Sequence, residues 1–161
     1  MSQPIEYITR IGEKYAALGY GIYTWAHVEE PPPWQPLRKP LAECRLGLIA
    51  SGGIYIAGQR AFHYKDDISF RVIPKDVETS DLRATHFAYD LSAARHDPNV
   101  VFPIDTLRGL VSDGVIGSLA DNAYTFMGGI YSSRRARDEL APELTRRLAE
   151  DQVDVALLVP V

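Results

Sequence analysis

Residues 44–53, Cys-Arg-Leu-Gly-Leu-Ile-Ala-Ser-Gly-Gly, form an apolar run too short for a helix, and it breaks off at a serine and two glycines. Such a run, bounded by turn residues, reads as a buried strand entering a tight turn. In an open α/β sheet, the carboxyl ends of buried strands border the crevice where ligands are held. Ser51, Gly52 and Gly53 are therefore the first candidate site residues. A plain strand-to-turn connection is the alternative that these residues alone leave open.

Two later segments repeat the theme. Val115–Leu119 has strand composition, and Val153–Val161 reads as a third buried strand. Residues 58–97 show no long periodic element, although 69–73 and 83–87 each suit a short strand, and Ile54–Ile56 briefly resumes extended structure. Asp105 is placed to cap a helix over 106–112 that Gly114 ends. Residues 121–129 read as a loop after the second strand. Ser133 can start a helix with Ala136, Leu140, Leu144 and Leu148 inside, which Pro142 either kinks or begins. Its arginines alternate with Asp138, Glu139, Glu143 and Glu150, the pattern of a solvated mixed-charge face. The order predicts an α/β fold: three layers, with a mostly parallel sheet covered by helices and a long irregular excursion between the first two core strands.

Before this domain, Ile5, Ile8, Ile11, Tyr15 and Leu18 are spaced for an amphipathic helix over 4–18, with Pro4 in its first turn and Gly19 as terminator. An aromatic stretch with Trp25 follows, then Pro31-Pro32-Pro33-Trp34-Gln35-Pro36, an extended arm that the two Trp rings can anchor. The predicted division is an arm over 1–36 and an incomplete α/β domain over 37–161. A net charge of −4 gives no basis for binding nucleic acid. No basic leader and no run near the ~20 apolar residues of a membrane span is present, so the expected location is the cytoplasm, away from membranes. The lone Cys44 forms no internal disulfide and reads as a small buried residue at a strand entrance.

Acid and base groups gather in the excursion: His63 with Asp66 and Asp67, His86 with Asp90, His96 with Asp97. A carboxylate beside an imidazole suits proton transfer near neutral pH. His86 and Asp90, with Thr85 and Tyr89 beside them, form the favoured pair; loop-stabilising hydrogen bonds are the structural alternative. No HExxH, cysteine pair or calcium-loop spacing marks a metal site, so none is assigned, although a metal-dependent enzyme using His63, His86 and Asp90 stays open. P-loop, dinucleotide and G-x-S-x-G signatures are absent. The two glycine corners, 52–53 and 128–129, can offer N–H groups to a carboxylate or oxyanion. A non-catalytic assembly module, docking through the arm and first helix, is a further alternative.

Leu37-Arg38-Lys39-Pro40-Leu41, the strand into Ser51-Gly52-Gly53, Ser69–Pro74, Thr85-His86-Phe87-Ala88-Tyr89-Asp90, Asp97–Pro103 with Asp105, Gly114-Val115-Ile116-Gly117 and Phe126-Met127-Gly128 together resemble one family. It is that of the selenoprotein B component of glycine, sarcosine and betaine reductases and the related D-proline reductase. The resemblance implies that a selenocysteine or cysteine follows Val161, that no cofactor lies within the chain, and that the family unit continues beyond it. It implies reductive cleavage of a small amine or amino-acid-like substrate, with a thiol or protein reductant. Thr85, His86 and Asp90 would line the pocket, with His86 giving a proton to the leaving amine. Ser51, Gly52 and Gly53 would hold a substrate carboxylate, Asp66 and Arg71 would orient a lid, and Phe126, Met127 and Gly128 would complete the substrate site. An incomplete sheet exposes apolar faces, so the expected partner is a second copy or a completing carboxyl-terminal chain.

Overall fold

A computed structural model describes residues 6–21 and 27–161. The chain divides into two compact units, Met1–Trp34 and Gln35–Val161. In the first, α1 spans Tyr7–Ala17 and gives way to Gly19 at φ +79°. The expected contributions of Pro4, Ile5 and Trp25 lie outside the described residues. Residues 27–37 form neither helix nor strand, as the prolines dictate.

The second unit is α/β, with a mixed, mostly parallel sheet between helical layers. Strand β1 (Arg45–Ala50) is central. Its near neighbours, β5 (Ser118–Leu119), β6 (Asn122–Phe126) and β7 (Val155–Val159), all run parallel to it. Because β7 occupies one whole side of β1, β5 and β6 share the other in succession. β3 (Phe70–Pro74) adds antiparallel to β6. A separate two-stranded antiparallel ladder joins β2 (Ile54–Ile56) to β4 (Leu82–Ala84).

Alternation along β1 sorts the two cores. Leu46, Leu48 and Ala50 join Phe102, Ile104 and Leu107 of the layer holding α2 (Ser92–His96) and α3 (Ile104–Ser112). Ile49, on the opposite face, packs with Tyr124, Leu140 and Leu144. Gly47 also faces that way, where a Cβ would stand 2.7 Å from the Leu148 side chain. The missing side chain lets α5 (Ala141–Glu150) lie close on the sheet. The amino ends of the strands are held by charge: the Arg45 guanidinium donates to the Asp151 carboxylate at 2.6 Å and reaches Asp121 at 3.1 Å, and Lys39 pairs with Asp154 at 2.7 Å.

Several expectations change. Residues 121–129 are not all loop, because β6 runs through them. Its polar composition conceals a strand buried on both faces, with Ala123 in one core, Tyr124 in the other and the Thr125 hydroxyl bonded to the Ile54 carbonyl. The strand expected at 115–119 is only Ser118–Leu119. The excursion holds short strands close to both expected positions. Asp105 lies inside the first turn of α3 rather than capping it, and its carboxylate accepts from Thr79 Oγ1 at 2.6 Å and Asn99 Nδ2 at 2.9 Å.

The helix from Ser133 is continuous but changes pitch: α4 (Ser133–Arg135), a π-helical turn (Ala136–Leu140), then α5. Pro142 lacks the N–H that an α-helical ladder would use, and the wider turn before it accommodates that loss. Cys44 is buried as expected, with its thiol turned toward the Pro40 carbonyl. Among the described residues, no helix is long and apolar enough to cross a membrane.

Candidate functional site

The carboxyl ends of β1, β4, β6 and β7 meet around Ser51. The Ser51 N–H donates to the Val159 carbonyl at 3.0 Å, and its carbonyl accepts from the Gly128 N–H at 2.9 Å. Its Oγ accepts from the Val161 N–H at 2.9 Å, leaving the hydroxyl proton free to donate. The corner continues through Gly53, whose N–H donates to Phe126 at 3.0 Å and whose carbonyl accepts from Thr85 at 2.9 Å. Gly53 has φ +71°, and a Cβ there would lie 1.9 Å from the Thr85 carbonyl oxygen, so only glycine fits.

His86 follows Thr85 into this corner and is buried. Its Nδ1 accepts the Ala88 N–H at 3.0 Å, which places the proton of the neutral ring on Nε2. Nε2 itself is buried without a hydrogen-bond partner. It stands beside Gly128, where a Cβ would be 3.3 Å from both Nε2 and Ser51 Oγ. An orphaned buried N–H costs about 1–3 kcal/mol, so its persistence next to a glycine-made space suits a ligand acceptor there. Ser51 and Gly128 also line an apolar cavity of about 500 Å³, together with Phe126, Leu144, Leu158 and Val161.

Tyr89 completes the corner. Its hydroxyl donates to the Gly52 carbonyl at 2.8 Å, and its ring lies 4.7 Å from that of His86. Burial pushes the Tyr89 phenol up and the His86 imidazolium down. For His86 the consequence for stability has a definite sign. Below the ordinary imidazole value of 6.5, the unfolded chain takes a proton that folded His86 resists. Its contribution is therefore complete above that value and is lost as pH falls through the depressed folded value. Urea midpoints measured from about pH 7 to about pH 5 should fall less steeply for His86→Gln than for the parent chain. Parallel profiles would show that His86 protonates equally well folded and unfolded.

The remaining sequence-selected residues separate. Asp90 does not pair with His86; its exposed carboxylate accepts from the Ser92 N–H at 2.9 Å and Ser92 Oγ at 2.7 Å, which holds it below the usual carboxylate range. The Thr85 hydroxyl is directed to the Tyr55 hydroxyl, 3.3 Å away. Met127 is fully buried, and its sulfur accepts the Gly129 N–H. Phe126 lines the cavity. The Asp66 carboxylate accepts the N–H groups of Tyr131 and Ser132 at 2.7 and 3.2 Å, tying its loop to the start of α4. Arg71 lies over the Phe62 ring and donates to the Arg60 carbonyl at 2.7 Å. With His63 and Asp67 it borders a different, open cleft of about 520 Å³.

His63, His86 and Asp90 thus do not converge, and among the described residues no group of three or more His, Cys, Asp and Glu could hold a metal. In the sequence Tyr89 stands beside the favoured pair without a role of its own, and Leu144 and Leu158 carry no signal of a site wall. The proximity of Tyr89 to His86 in sequence was the one available signal, and it carries no information about the Gly52 carbonyl.

A family model described as glycine/sarcosine/betaine reductase selenoprotein B matches residues 12–160. D-proline reductase subunit gamma from Acetoanaerobium sticklandii is 36% identical over 131 residues, covering 81% of this chain and 54% of that protein. Glycine reductase complex component B subunit gamma from Symbiobacterium thermophilum is 29% identical over 147 residues, covering 84% and 32%. Sarcosine reductase complex component B subunit beta from Peptoclostridium acidaminophilum is 28% identical over 134 residues, covering 78% and 30%. The chain spans about half the length of the first and about a third of the others. No solved structure gives a significant match.

Proposed function

Since the chain belongs to the glycine/sarcosine/betaine reductase selenoprotein B family, we propose that it is one part of a reductase unit that cleaves the C–N bond of a small amino-acid-like amine. The observation that carries this reading is the buried, unpartnered Nε2–H of His86 facing Ser51 and Gly128. The N–H groups of Ser51, Gly53 and Gly128 already serve the backbone carbonyls of Val159, Phe126 and Ser51. A substrate carboxylate is therefore received by Nε2–H and the Ser51 hydroxyl rather than by those three amides.

Neutral His86 is a hydrogen-bond donor. To act as the acid for a leaving amine it would also need a proton on Nδ1, which requires loss of the Ala88 amide bond. Anchoring the carboxylate is the role that leaves the loop in place. A selenol or thiol beside Val161, joined to this chain or brought by another, supplies the nucleophile that bonds to carbon as the amine departs. The departing nitrogen takes a proton. A thiolate of a dithiol or protein thiol pair then attacks the selenium or sulfur, the carbon leaves with the bonding electron pair and takes a proton, and the second thiol closes the disulfide and frees the selenol or thiol again. Thr85 and Asp90 shape the loop carrying His86, Gly52 and Gly53 set the corner's backbone, and Phe126 and Met127 set the wall behind Gly128. Asp66 and Arg71 order the outer loops.

The test uses the complete unit, purified through a tag on this chain, with D-proline, glycine, sarcosine and betaine as substrates. Dithiol-dependent C–N cleavage of at least one is expected, read as free amine from glycine, sarcosine or betaine and as the ring-opened linear amino acid from D-proline. Silence with all four would reject the reading.

A further inference from the structure

Strand β7 is paired on one side only. It runs along β1 from Leu46↔Val155 to Ala50↔Val159, and among the described residues no strand adds to its other edge. The Val159 carbonyl faces β1, where it accepts from Ser51. By strand alternation, the N–H and C=O groups of Ala156 and Leu158 point away from the sheet. The strand Val-Ala-Leu-Leu-Val has no charge, no bulge and no proline before Pro160, so the devices that normally protect an edge are missing. Leu158 is 65% exposed and borders the apolar cavity that Leu140, Leu144 and Phe126 line against α5.

We propose that this edge and trough receive an extended apolar segment by strand addition, and that the segment belongs to the half of the family polypeptide that this chain does not span. The relatives' lengths favour that occupant: the matched chain accounts for only 54% of D-proline reductase subunit gamma. Backbone pairing with Ala156 and Leu158 supplies two-way hydrogen bonds, and alternate side chains of the segment fill the trough. Docking there also closes the cavity beside Ser51 and Val161. The inference rests on the reading of this chain as one part of a larger unit, but its test needs no turnover, so a failed docking and a failed activity are told apart.

The chain is co-expressed with the stretch of the Acetoanaerobium sticklandii subunit that it does not match, and amide exchange is measured on the purified material. Co-purification with exchange at Ala156 and Leu158 slowed about a hundredfold relative to the chain alone is expected. Leu158→Lys and Ala156→Lys, both on the outward face, should each weaken association about tenfold or more with an unchanged circular dichroism spectrum. Absence of association overturns the proposal, as does association that leaves exchange at β7 unchanged. Protection that rises with the concentration of the chain alone would assign the edge to a second copy and would equally overturn it.

Discussion

His86→Ala is expected to lower kcat/KM of the complete reductase unit by about a hundredfold, the scale of a lost hydrogen bond to a charged group. His86→Gln should retain part of that activity, because an amide side chain can still offer an N–H toward Ser51 and Gly128. The pair of variants separates two roles. If His86 must deliver a proton to the departing amine, glutamine is as inactive as alanine; if it anchors a carboxylate, glutamine lies between alanine and the parent, with its loss mainly in KM. An unchanged kcat/KM in His86→Ala would remove His86 from the site altogether. The ring is buried against Tyr89, so each variant is compared by urea unfolding before its rate is interpreted.

Gly53→Ala should destabilise the fold by about 3 kcal/mol or more, a large fraction of the stability of an ordinary domain. Two effects combine at this position. A side chain at φ +71° costs about 1–2 kcal/mol. The Cβ would also be forced to 1.9 Å from the Thr85 carbonyl oxygen, in a backbone held by the Thr85–Gly53 hydrogen bond, so it cannot move aside without opening the β2–β4 ladder. Gly58→Ala is the control: its φ is +94° but nothing lies within 4 Å, so only the conformational cost should appear. Equal urea midpoints for the two variants would show that the close approach at Gly53 contributes nothing.

The 44–53 stretch was legible as a strand because an apolar run ending in glycines has few alternatives, and its Ser-Gly-Gly corner packs beside the Thr85–His86 loop. His86 could be singled out by its residue type and setting, but its partner could not. The sequence offered Asp90 at four residues, whereas the Ala88 amide, which has no distinctive side chain, reaches Nδ1 first. Strand β6 was hidden for a related reason: Thr125 is buried through a bond to a backbone carbonyl contributed by a distant strand. Val155–Val159 misled in the opposite direction. An uninterrupted apolar run reads as buried on both faces, but burial requires a neighbour, and Ala156 and Leu158 have no strand beyond them. The π-helical turn required knowing how the bond lost at Pro142 is accommodated, which no periodicity reveals.

That turn also divides the helix mechanically. Its amino-terminal end is fastened to the excursion, through Asp66 and the Arg135 guanidinium. Its carboxyl-terminal end is fastened to the sheet, through Leu144 and the Arg147 guanidinium over the Phe70 ring. A uniform α-helix would lock the angular phase of these two anchorages together at about 100° per residue. The wide turn resets that phase between them, so the two anchorages need not share one α-helical register. Leu144 thereby faces the wall it forms beside Ser51 while Arg135 keeps its bond to the Asp66 carbonyl.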